Sequence, residues 1–151
     1  MTATKQDNIV FIEGKEKGLQ ALFSAQNFGY LAVGRNTEND TNGFINIDGT
    51  DSTITNGFHE ISLEEDSTYQ RVPLHLHPDT IKNYDNGKVT VKFTAELDID
   101  NIISNIPINQ LAIVNTATVQ DPSTIFYAAA TCDDFPKSEK LALVFVIEMT
   151  I

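Results

Sequence analysis

The stretch Leu141-Ala-Leu-Val-Phe-Val-Ile-Glu-Met-Thr-Ile151 places large apolar residues at 141, 143, 145, 147, 149 and 151. Side chains of an extended chain alternate between two faces, so one side of this stretch is continuously apolar and predicts a strand held in a sheet up to the final residue. No further module is expected after it. A second segment obeys the same rule: Lys88-Val-Thr-Val-Lys-Phe-Thr-Ala-Glu-Leu97 puts Val89, Val91, Phe93, Ala95 and Leu97 on one face and Lys88, Thr90, Lys92, Thr94 and Glu96 on the other. That is the pattern of a half-buried antiparallel strand.

The rest of the chain extends this grammar. Asn8-Ile-Val-Phe-Ile12, Phe28-Gly-Tyr-Leu-Ala-Val-Gly34, Tyr69-Gln-Arg-Val-Pro-Leu-His-Leu-His77, Gln110-Leu-Ala-Ile-Val-Asn115 and Thr124-Ile-Phe-Tyr-Ala-Ala-Ala-Thr131 each read as extended. Pro73 implies an edge position for its strand, because proline cannot donate to a ladder. Turn chemistry separates these runs at Asn86-Gly87, Asp121-Pro-Ser and Asp133-Asp-Phe-Pro-Lys. One amphipathic helix is predicted over Lys15-Glu-Lys-Gly-Leu-Gln-Ala-Leu-Phe-Ser-Ala25, where Leu19, Leu22 and Phe23 fall at i, i+3 and i+4 and Gly18 weakens the interior. Strands spaced by short turns after one early helix predict a mainly β protein: an antiparallel β-sandwich, or a small barrel-like sheet, with one short N-terminal α-helix.

The expected organisation is an N-terminal arm or strand over 1–14 and a single sandwich domain over 15–151. A long polar segment at 35–57 interrupts that domain. It holds Asn-Gly at 42 and 56 and Asp-Gly at 48, and its apolar residues are few: Phe44, Ile45, Ile47 and Ile54. Ordinary connections run about 4–6 residues, so this one reads as an interaction loop or an excursion hairpin.

At 151 residues the chain is long enough to bury about 68–70% of its unfolded surface without disulfide or metal staples. A formal charge of −11 with ten Lys and Arg argues against nucleic acid and anionic membrane surfaces as partners, since phosphate neutralisation needs clustered cations. The first residues lack a basic start and an apolar run, so no signal peptide is expected, and no stretch approaches a membrane span. Cys132 has no second cysteine to pair with, and its apolar surroundings read as core.

Candidate chemistry is sparse. His75 and His77, two apart on a strand, would share a face and could ligate one metal with Asp79 or His59-Glu60 completing the set. The plainer alternative makes them the solvent side of a strand whose Leu74 and Leu76 face the core. Asp48/Asp51, Asp98/Asp100 and Asp133/Asp134 lack the spacing of a calcium loop and its closing Glu. There is no nucleophile elbow, phosphate-cradling loop or Cys-x-x-Cys, so the chain reads as a non-enzyme without a cofactor. Phe44, Ile45, Ile47, Phe58, Tyr69 and Tyr84 are the candidate interaction residues, as anchors for a protein contact or as platforms for a sugar.

Taken in order, Gly29-Tyr-Leu-Ala-Val-Gly34, a variable polar loop, Glu60-Ile with Tyr69-x-Arg71-Val, Gly87-x-Val-x-Val-x-Phe-x-Ala-Glu-Leu97, Ile108-Asn-Gln-Leu-Ala-Ile-Val-Asn115, a small-residue strand, Phe135-Pro-Lys and the closing strand resemble bacteriophage virion proteins. These are the small β-rich modules of tail fibres, baseplates and neck or capsid appendages. The resemblance covers residues 15–151 and brings no catalytic residues with it. It implies an oligomeric module in the virion, made in a bacterial cytoplasm, that fastens one virion structural protein to another. Trimers and hexamers suit such a role. A carbohydrate- or receptor-binding module of a fibre, with a host glycan as ligand, is the alternative, and a capsid decoration protein a further one.

Overall fold

A computed structural model describes residues 9–35 and 58–151. Its elements are α1 (Ile12–Leu22), β1 (Tyr30–Gly34), β2 (Val72–Pro73), β3 (His75–Asn83), β4 (Lys88–Leu97), β5 (Ile106–Val114), β6 (Phe126–Lys137) and β7 (Leu143–Thr150). They form two antiparallel sheets, one ordered β2-β1-β5-β6 and the other β3-β4-β7. Neither sheet closes on itself among the described residues, so the sandwich form of the expectation holds and the barrel form does not.

The alternation in β4 does what its sequence prescribes. Val89, Val91, Phe93, Ala95 and Leu97 are buried, while the intervening residues face outward and pair across the sheet, Lys92 with Glu148 and Thr90 with Thr150. β7 runs beside β4 from Thr90↔Thr150 to Leu97↔Leu143, and the Ile151 amide and carbonyl still bond Val89. The final residue is therefore in the ladder, although its side chain is half exposed.

Two clusters fill the space between the sheets. Leu31, Val33, Ile61, Tyr69, Leu97, Ile102 and Ile108 pack in one. In the other, α1 lays Leu19 against Val89, Val91 and Phe93 of β4, and Phe23 follows at the end of the helix. Phe23 stands edge-on to Phe93 at 5.4 Å and to Tyr127 at 4.9 Å, so aromatic contacts join α1 to strands of both sheets.

Four expectations need correction. Residues 9–11 belong to no strand, and Ile12 opens the helix, which runs from 12 to 22 instead of 15 to 25. The run 69–77 divides: Tyr69 and Arg71 precede the two-residue β2, and β3 begins only at His75. Pro73 does sit on a sheet edge, since β2 ends its sheet. Finally, Asp133-Asp-Phe-Pro-Lys is not a turn but the last part of β6. There β5 also begins earlier than its apolar run, at Ile106, and Ile108 pairs with Phe135 and Pro107 with Pro136. These prolines lie beyond Gln110, the last β5 residue that β1 reaches, so Pro107 breaks no ladder on that side.

Candidate functional site

Glu60 follows Gly34 across an isolated bridge, and Ile61 donates its amide to the Val33 carbonyl, so this short extended piece is fastened to the end of β1. Ser62 and Glu65 then form a reciprocal cap in which each side chain accepts the other's backbone N–H, turning the chain sharply. Asp66 makes the next turn by accepting from the Thr68 amide and hydroxyl. The chain returns to the core at Tyr69.

Tyr69 is 1% exposed. Its hydroxyl accepts from the Val33 amide and donates to Glu60 Oε2 at 2.6 Å. Arg71 lies two residues on, and its Nε and Nη2 each reach a Glu60 oxygen at 2.8 Å. Its Nη1 donates to the Thr116 carbonyl and to the Thr116 and Thr124 hydroxyls. The Gln120 amide adds a further donor to Glu60 Oε1. Burial pulls the guanidinium pKa down, but the bonds and field of Glu60 outweigh it and raise it overall; burial and the Glu60 charge raise the Tyr69 phenol well above its usual value. Glu60 and Arg71 thus hold one another, and they tie β1 to the 115–124 connection.

Above this network lies a cleft of about 600 Å³. Arg35 and Glu65, paired at 3.2 Å and partly exposed, stand on its rim with His59, Gln120 and Asp121, and Phe58 and Phe126 form an aromatic wall, edge to face at 5.5 Å. Hydrogen bonds from Ser123 hold the Asp121 carboxyl below its usual range. The arrangement suits a polar ligand with one apolar face. The two buried charges at its floor are already spent on each other.

A second polar knot supports the 98–105 connection. Asp66 accepts from Thr68 and from the Ser104 amide, Asn101 exchanges bonds with the Gln70 backbone, and the buried Lys137 amine donates to the carbonyls of Ile102 and Ser138. These contacts hold Ile102 and Asn105 at φ 60° and 57°, a conformation costly for a β-branched residue. Burial lowers the Lys137 pKa.

The third feature is an apolar seam. β6 ends one sheet and β7 the other, and among the described residues no strand pairs with their outer edges. Leu143, Phe145, Ile147 and Met149 are only half buried, and Val144 and Val146 are 62% and 60% exposed. The small side chains of Ala128 and Ala130, opposite Ile113 and Leu111, leave an apolar pocket of about 190 Å³ against Ile147 and Met149.

The sequence-derived candidates fall in different places. Tyr69 is a core residue with no ring to offer a partner from outside, which corrects its reading as an interaction residue. Phe58 is half buried on the cleft wall, while Tyr84 is 69% exposed at the β3–β4 turn, its hydroxyl 3.3 Å from Glu13. Phe44, Ile45 and Ile47 lie outside the described residues, as do Asn-Gly 42 and 56 and Asp-Gly 48. His75 pairs in register with Thr94, whereas His77 falls within a bulge, since the register slips between Leu76 and Thr80, and Leu76 is 49% exposed where alternation put it in the core. His77 Nδ1 accepts from the Asp79 amide at 3.1 Å and lies 3.7 Å from its carboxylate. Glu60, the alternative ligand, is committed to Arg71, and among the described residues no group of three His, Cys, Asp or Glu is placed to hold a metal. Cys132 is half buried on β6; burial and then Asp133 and Asp134 raise its thiol pKa. No described helix is long and apolar enough to cross a membrane.

The Glu60–Arg71 pair was not read from the sequence. A signal existed: period two puts Arg71 on the same face as the core residue Tyr69, and a charge there demands a buried partner. No family model, curated protein or solved structure matches this chain.

Proposed function

We propose that this chain is a structural assembly module of a bacteriophage virion, an oligomeric adaptor or attachment unit in the tail, baseplate, fibre or head appendages. The observation that carries the reading is the seam between β6 and β7, where, among the described residues, two unpaired sheet edges and a half-buried apolar layer meet. Edges of this kind template pairing with another chain unless something covers them, and β-augmentation uses that property for attachment. The charge of −11 supports the same role, because it keeps separate subunits apart until a complementary surface arrives. The reading assigns no catalytic residue and no cofactor. Its partners are other virion structural proteins and further copies of itself.

The test is native mass by light scattering, for the chain alone and mixed with tail, baseplate and head-appendage proteins. A defined oligomer or a stoichiometric complex supports the reading. A single chain that joins none of these proteins refutes it.

A second reading, a carbohydrate- or receptor-binding module, is favoured by the exposed Tyr84 ring and by the Phe58–Phe126 wall beside Gln120 and Asp121. Aromatic faces next to amide and carboxylate groups are what a sugar requires. Binding on a glycan array that is lost in Tyr84→Ala or Phe58→Ala would favour it; an array without hits would dispose of it.

A further inference from the structure

Ile9, Val10 and Phe11 have the composition of a strand, yet they stand outside both sheets with 78%, 59% and 74% of their surface exposed. Three consecutive large apolar residues in water are costly, at roughly 1.5–3 kcal/mol for each that burial would relieve. The same protein carries an apolar pocket of about 190 Å³ between Ala128, Ala130, Ile147 and Met149, on the side where no described strand pairs with the outer edges of β6 and β7. A dry apolar cavity of about 150 Å³ already accommodates a benzene ring. The pocket therefore has room for one phenyl group.

We infer that residues 9–11 of one copy lie along the β6–β7 seam of a second copy, with Phe11 seated in the pocket. The inference rests on the assembly reading above and names the occupant of that seam. In an extended arm Ile9 and Phe11 share a face, so both turn toward the apolar layer while Val10 turns away. The outer edge of β6 offers the arm backbone hydrogen bonds that no described strand takes up. Charge permits the approach: among residues 1–12 Lys5 offsets Asp7, so this segment is neutral on a chain that is strongly acidic elsewhere and exposes Asp133 and Asp134 along β6.

Within its own copy Phe11 starts α1 by the β3–β4 turn, where Lys15 bonds the Gly87 carbonyl and Tyr84 bonds Glu13. The opposite end of the helix, at Phe23, is the end that meets Tyr127 of β6. A contact of this kind sets a knob on one copy against a hole on the next. Such contacts make rings when the rotation closes.

The experiment uses the full chain and two variants, Phe11→Asp on the arm and Ala130→Leu in the pocket, with native mass as readout. Phe11 is exposed, so its replacement leaves the fold intact, and circular dichroism checks both variants. The parent is expected at a multiple of 16.7 kDa and each variant at 16.7 kDa under the same conditions. An equal mixture of the two variants should regain a two-chain species, because each supplies the half that the other lacks. A parent mass of one chain, variants that keep the parent mass, or a mixture that stays monomeric each overturn the inference. Variants that keep an oligomeric parent mass leave the assembly reading standing, whereas a monomeric parent that also joins no virion protein removes both.

Discussion

Replacing Arg71 by Met tests the network beneath the cleft. The Arg71 and Glu60 side chains are 1% and 7% exposed, so removing the guanidinium leaves a carboxylate that water scarcely reaches. Glu60 would lose both 2.8 Å bonds from Arg71 and keep those from the Tyr69 hydroxyl and the Gln120 amide. The Thr116 and Thr124 hydroxyls still bond each other at 2.7 Å, so the main deficit is the stranded charge. Breaking a buried pair from one side costs about 3–5 kcal/mol. That is a large part of the about 5–15 kcal/mol that a domain has in total. With a urea slope of about 2 kcal/mol/M, the unfolding midpoint should fall by about 1.5–2.5 M. Adding Glu60→Gln removes the charge, keeps one carbonyl to accept from the Gln120 amide and turns an NH2 toward the Tyr69 hydroxyl, which can accept from it; it should recover at least about half of the loss, since neutralising both partners costs far less than stranding one. Equilibrium urea unfolding followed by circular dichroism, with the slope checked for constancy, measures both values. An Arg71→Met cost below about 1 kcal/mol, or a double variant no better than the single one, would refute the argument that the charge is uncompensated.

Two further predictions concern the same supports. Burial raises the Asp66 carboxyl, but bonds from Thr68 and Ser104 outweigh it and hold the pKa at about 2, against an ordinary 3.8. A lowered carboxyl pKa contributes stability that is complete above the ordinary value and fades as pH falls from 3.8 toward about 2, so about 2 kcal/mol should be lost across that window. Stability measured from pH 5 to pH 2 should show this slope in the parent and a shallower one in Asp66→Asn; identical slopes would count against it. At Gly34 a β-carbon would overlap the His59 carbonyl and crowd Gln110 Oε1 at 3.1 Å. Gly34→Ala should therefore push the Gly34–Glu60 bridge apart and cost about 1–3 kcal/mol in the same unfolding assay, whereas an unchanged midpoint would mean that the 59–61 segment moves aside freely.

What the sequence determined by itself was the part of the fold governed by local alternation. β4 was legible residue by residue, since five apolar side chains at period two have one way to be buried. The turn at Asn86-Gly87 was legible for a similar reason, as Gly87 adopts φ 71°, and so was the edge position of Pro73. The sandwich followed from many such strands after one helix. Local pattern misled wherever a distant partner decided the outcome. Asp133-Asp-Phe-Pro-Lys has turn composition, yet pairing with the early part of β5 keeps it extended. Ile9-Val-Phe11 has strand composition but lacks a neighbouring strand within the described residues. Leu74 and Leu76 alternate with the histidines, yet Leu76, paired with Phe93 on a strand that ends its sheet, stays 49% exposed.

The candidate site shows the division most sharply. Glu60 lies 11 residues before Arg71, and the threonines that complete the guanidinium's bonds come 45 and 53 residues after it. A buried charge is stable only where several donors and acceptors converge in space, and period and composition do not record convergence. The apolar seam likewise depends on where two sheets stop. The sequence supplied three small alanines in β6 and a half-buried face in β7; only their juxtaposition across the layer made a pocket. Strand grammar is a property of neighbours along the chain, whereas clefts, ion pairs and open edges are properties of neighbours brought together by folding, and on this protein the cleft, the Glu60–Arg71 pair and the β6–β7 seam belong to the second kind.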